Sequence, residues 1–144
     1  MYKRLKERTM YKRLLFLMLS CVFLLTGCGS KEKKHHLDPA ALVGMTKDEV
    51  LTQAFAKCHL GHNGELFLYV EETSQYGTKH FCGCEFKTLT EAKSAAVLKN
   101  SDTWQLDEIK VSRSSFPFSE RELLVLHFTD GRVVEVGPVR ISDM

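Results

Sequence analysis

The chain has 144 residues, 26% charged and 44% hydrophobic, with nine glycines and three prolines, which excludes collagen-like or low-complexity disorder and suits one domain. Its formal net charge of +2 belongs to one end: residues 1–27 carry six basic side chains and one acidic, leaving 14 basic against 17 acidic residues, or −3, for the rest. Nothing after Lys34 supplies the clustered Lys and Arg that phosphate neutralisation needs, so a nucleic-acid-binding domain is not expected.

In chain order, Leu14–Leu25 comes first, apolar except for Ser20. Such a run is short of the roughly 20 residues that span a bilayer, and suits the apolar core of a signal peptide behind a basic segment. It closes on Leu25-Thr26-Gly27-Cys28, which resembles the lipobox of bacterial lipoproteins. The resemblance implies that Cys28 receives a diacylglyceryl thioether and that residues 1–27 are cut away as a signal peptide. The other reading, a membrane helix with a chance cysteine, is disfavoured because the run is short and stops at that cysteine. Met-Tyr-Lys-Arg-Leu occurs at 1–5 and again at 10–14, so both Met1 and Met10 stand as starts. Gly29 replaces the aspartate that retains enteric lipoproteins at the inner membrane. In a cell with two membranes, the outer one, on its periplasmic side, is favoured.

Residues 28–37 have no periodic apolar pattern and read as a lipidated N-terminus and flexible tether, with His35-His36 solvated rather than binding metal. The folded domain is placed at 38–144. Asp38-Pro39 predicts an N-cap and first helical position for a short helix through Val43. Thr46 and Glu49 predict a capping box, followed by Val50, Leu51, Ala54, Phe55 and Cys58 at helical spacing. Leu66–Glu71 and Thr78–Thr88 read as strands, Thr88 and Glu91 cap a third short helix, and Trp104–Val111 is ambiguous. Leu123–Thr129, Asp130-Gly131 and Arg132–Val136 form a β-hairpin. The expectation is an α+β fold, with two short N-terminal helices packed on one face of a small antiparallel sheet of three or four strands.

Both Leu66–Val70 and Leu123–Phe128 are apolar on both faces, and two short helices cover only one. The other face carries Phe67, Tyr69, Leu123 and Val125, covered either by residues 89–120 or by a partner. Those four residues are the candidate partner-binding surface.

The series Leu42-Val43-Gly44-Met45-Thr46-Lys47-Asp48-Glu49-Val50 resembles the Gly-Met-Thr-x-x-x-Val start of the second helix in the SmpA/OmlA small outer-membrane lipoproteins. Leu66–Val70 falls where that family has its aromatic first strand, and Leu124–Val136 looks like its closing strands. The resemblance implies two helices on a three-stranded sheet, no catalytic residues, and function by protein contact, in a family that includes a component of the β-barrel assembly machine. β-Lactamase inhibitor proteins share that architecture, so a binder of an envelope enzyme is the neighbouring alternative. The chain departs from the family at Gln53-Ala54-Phe55-Ala56, where Leu-Gly-x-Pro is usual, and in the longer segment 73–120.

Cys21 leaves with the leader and Cys28 takes the lipid, which leaves Cys58, Cys82 and Cys84. On an extended strand Cys82 and Cys84 stand about 6.5–7 Å apart on one face, too far for a direct disulfide. Cys58 with either one would staple helix to sheet, at a gain of about 2–4 kcal/mol. The sharper alternative is a metal or thiol site in which Cys58, His59 and His62 meet His80, Cys82 and Cys84 around zinc or copper(I). Cys-x-Cys and Cys-x3-His are not usual zinc spacings, and envelope thiolates oxidise, so one structural disulfide with a leftover thiol, or buried thiols, and no cofactor beyond the lipid are expected. No phosphate-binding loop, Gly-x-Ser-x-Gly or His-Glu-x-x-His is present, and His127, Asp130 and Ser112, Ser114 and Ser115 make no recognisable triad. The chain reads as a non-enzymatic envelope lipoprotein.

Overall fold

The computed structural model describes residues 33–112 and 119–143. The leader, Cys28, Ser114, Ser115 and Phe116-Pro117-Phe118 lie outside the described residues. Helix α1 is Pro39–Leu42, α2 is Lys47–Lys57, α3 is Leu89–Ser94 and α4 is Ala96–Asn100. Strands β1 (Leu66–Thr73), β2 (Lys79–Phe86), β3 (Thr103–Ser112), β4 (Ser119–Thr129) and β5 (Arg132–Asp143) form one sheet, in the order β2-β1-β3-β4-β5. Every neighbouring pair is antiparallel.

The expected fold class is therefore corrected. One five-stranded antiparallel sheet is the dominant element of the described chain, with four short helices of which only α2 exceeds six residues. Two features hid the extra extent of sheet. Strand β3 alternates Trp104 and Leu106 with Gln105 and Asp107, and then slips register: Leu106 pairs Leu124, but Ile109 pairs Glu122. The surplus residue is a β-bulge, with Asp107 at φ 58 in the left-handed region that aspartate tolerates better than most side chains. Strand β5 runs on through Gly137-Pro138 to Asp143, seven residues past the expected end at Val136. Proline is tolerated there because β5 is an edge strand.

The local signals took effect as the chain chemistry dictates. Asp38 accepts a hydrogen bond from the Ala40 amide at the start of α1. Thr46 Oγ1 accepts from Glu49 N while Glu49 Oε2 accepts from Thr46 N at 2.8 Å, a complete capping box. Thr88 caps α3 in the same way through Glu91 N. The β4–β5 turn places both Asp130 (φ 51) and Gly131 (φ 74) at positive φ, as a type I′ hairpin requires.

Leu66, Leu68 and Val70 of β1 share a face with Trp104, Leu106, Leu124 and Leu126, and all join one buried cluster with Leu42, Val50, Leu51 and Ala54 of the first two helices. Ala92 and Leu98 of α3 and α4 enter that same cluster. Residues 89–112 thus supply two more helices to the already covered face and a central strand, rather than a cover for the other face.

Candidate functional site

Three places carry chemistry. The first is the sheet face turned away from the helices. The register puts Tyr69, Gln105 and Val125 in one cross-strand row, with Phe67 and Leu123 on the same face. All four candidate partner-binding residues therefore share a face, but they are not equally available. Leu123 and Val125 are only 1% and 7% exposed, whereas Phe67 is 48% exposed and Tyr69 partly so. Phe81, opposite Glu71 on β2 and 41% exposed, extends the accessible patch. The Phe67 and Tyr69 rings meet edge to face at 5.0 Å. Both lie over Gly83 of β2, where an added Cβ would stand 2.9 Å from Phe67 Cζ, so the glycine makes room for the aromatic pair. Glu71 and Glu85 rim this patch with negative charge, and Lys79 pairs with Glu71 at 3.4 Å. Farther across the face, a His127 ring nitrogen lies 3.3 Å from the Thr103 hydroxyl, an arrangement that suits cross-strand packing.

The second place is the junction between the N-terminal segment and the sheet. The stretch read as tether is anchored from His35 onward: Leu37 is buried, and both histidines bind side chains or carbonyls of β3 and β4. The reading of His35-His36 as a solvated pair is corrected accordingly. His35 Nδ1 donates to the Asp107 carbonyl at 2.7 Å and its Nε2 meets Glu122 Oε1 at 3.0 Å. The Asp107 carboxylate, fully buried, accepts from Leu37 N and is met by His36 Nδ1, each at 2.8 Å. The bulge on β3 turns this carboxylate toward its partners, so the strained φ and the buried charge serve one purpose.

Cys58 closes α2 and also lies against Asp107. Burial pushes its thiol well above the ordinary cysteine range, and the Asp107 charge and hydrogen bond push the same way. This thiol stays protonated and is neither a ready metal ligand nor a ready nucleophile. Glu122 shows the opposite balance: burial raises its carboxyl, but hydrogen bonds from Arg140 (Nε, 3.1 Å) and His35 outweigh that and hold it below the ordinary value of 4.5. A carboxyl depressed in the folded chain stabilises fully above its unfolded value, and the gain is lost as pH falls through the folded value. Between pH 6 and pH 3, the unfolding free energy from denaturant titration should therefore fall by about 0.5 kcal/mol more in the parent than in Glu122→Gln, the size of a part-exposed ion pair. Equal falls would remove Glu122 from the acid response.

The third place is the β1–β2 hairpin. Cys82 and Cys84 lie on edge strand β2, opposite Val70 and Leu68, and are half-buried against the core cluster. The expected meeting of Cys58 with them does not occur: Cys58, Cys82 and Cys84 are all free thiols, and Cys58 sits at the β3 bulge. His59 and His62 are exposed in the loop after α2. Among the described residues, the only group of three or more side chains able to ligate a metal together is Glu72, His80 and Cys82, whose ligand atoms lie within 4.8 Å of one another. Of the proposed cluster, His80 and Cys82 belong to this group, while Cys58 and His62 do not. Sequence reasoning missed Glu72, although counting back from the Ser74–Thr78 turn pairs it directly with His80.

No family model, curated protein or solved structure matches this chain. The likeness to the SmpA/OmlA lipoproteins thus rests on its three short sequence blocks alone. Among the described residues, no helix is long and apolar enough to cross a membrane.

Proposed function

We propose that this chain is a lipid-anchored envelope protein that acts by protein contact, as an accessory or scaffold subunit at the periplasmic side of the outer membrane, and catalyses no reaction. The lipobox-like Leu25–Cys28 supports the anchor. The observation that carries the contact role is the aromatic patch of Phe67, Tyr69 and Phe81, left open on the sheet face to which the described helices add nothing. Exposed aromatic side chains are costly to leave in water and are enriched where proteins meet. The acidic rim of Glu71 and Glu85 favours a partner with an apolar centre and basic surroundings.

Because Leu123 and Val125 are buried, charge placed there would test folding rather than binding. The informative variant is Phe67→Glu with Phe81→Glu, both at exposed positions. In-cell crosslinking of the parent should capture an envelope protein, and the double variant should lose that capture at least about tenfold, with an unchanged melting temperature. Unchanged capture by the variant sinks the surface. Recovery of β-barrel assembly components would place the chain in that machine, whereas a single hydrolase would give it an inhibitor-like role.

A further inference from the structure

The β1–β2 hairpin assembles a donor set that contact with a protein partner does not require. Glu72 and His80 stand directly opposite each other across the two strands, and Cys82 follows His80 on the same face. Cys84 is next along that face and hydrogen-bonds weakly toward the Cys82 carbonyl. One carboxylate oxygen, one imidazole nitrogen and one sulfur lie within 4.8 Å of one another. We propose that Glu72, His80 and Cys82 bind one zinc ion beside the turn of this hairpin, with a water molecule completing the tetrahedron.

Tetrahedral zinc with bonds of about 2.0–2.3 Å needs donors roughly 3.3–3.8 Å apart, so the side chains must close by about 1 Å. Glu72 and His80 are exposed and free to rotate into place, while the half-buried cysteines are held by the ladder. Eight consecutive residue pairs, Leu66↔Phe86 through Thr73↔Lys79, fix the spacing of the two strands, so the donors come from a rigid element rather than a loop. The mixture of carboxylate, imidazole and thiolate suits zinc; copper(I) favours sulfur and nitrogen without the carboxylate. Binding releases the Cys82 thiol proton to solvent and crosslinks β1 to the edge strand β2, so the bound ion should also stabilise the fold.

The test uses the untagged full-length chain in detergent, reduced and metal-free, titrated with zinc against a chromophoric chelator. One zinc per chain and a raised melting temperature are expected, and cobalt(II) in place of zinc should give thiolate charge-transfer absorption. His80→Ala and Cys82→Ser should lose the stoichiometric ion, while Cys58→Ser, beside Asp107, should keep it. His80 is exposed, so its variant should fold as the parent does, which circular dichroism checks. No stoichiometric zinc on the reduced parent, or equal binding by the His80→Ala variant, would overturn the site.

Discussion

Trp104→Ala is expected to destabilise the domain by about 3–5 kcal/mol, lowering its melting temperature by more than about 12 °C. The indole is fully buried on the central strand β3, between Val70 of β1 and Leu126 of β4 in the ladder. It packs on Phe128 at 4.6 Å between ring centroids, and the Lys47 ammonium stands 5.8 Å from its ring. Lys47 is held there by the carbonyls of Lys99 and Ser101, both at 2.8 Å, so the same cation ties the end of α4 to the start of α2. Truncation would empty a space bounded by three strands and two helices, which cannot all collapse at once. Trp104→Phe should cost less, because it keeps a ring against Phe128 and removes an indole N–H that has no partner among the described residues. Thermal denaturation of the two variants checks the order. An alanine variant that melts within a few degrees of the parent would show that β3 does not occupy the centre of the sheet.

The second large effect concerns location. Cys28→Ala should abolish incorporation of labelled fatty acid and leave the precursor uncut, because the sulfur is the only atom of that residue able to form the thioether. Attachment through acyl chains should be lost, since two or more chains anchor stably, one is marginal and an alanine offers none by this route, which leaves the uncut Leu14–Leu25 run as the remaining apolar contact. Metabolic labelling followed by gel mobility reads both consequences together. A labelled or normally processed Cys28→Ala chain would refute the lipobox reading and return the leader to the membrane-helix alternative.

The junction at Asp107 bears on the segment expected to be a flexible tether through residue 37. Here the chain is fastened two residues earlier, through His35, His36 and Leu37 on the β3 bulge. Nothing in Lys-Lys-His-His-Leu announces this, since the same polar residues would read alike in a solvated linker; only the position of Asp107 separates the two.

What could be read from residues alone was what neighbours in the chain decide. The helix starts at Asp38, Thr46 and Thr88, and the Asp130-Gly131 turn, depend on bonds spanning two to four residues, so their chemistry is written within a single window. The shared face of Phe67, Tyr69, Leu123 and Val125 followed from strand alternation in the same way. Strand order, the bulge at Asp107 and the continuation of β5 through Pro138 depend instead on which strand lies alongside, a matter of long-range pairing. The bonds that fasten the N-terminal segment join residues 70 to 87 positions apart. Residue type alone could not separate buried Val125 from exposed Phe67, or bring Glu72 rather than Cys58 to Cys82. Those choices were made when the sheet closed its core on one side and left the aromatic patch open on the other, because burial and proximity belong to the packed chain and not to any stretch of it.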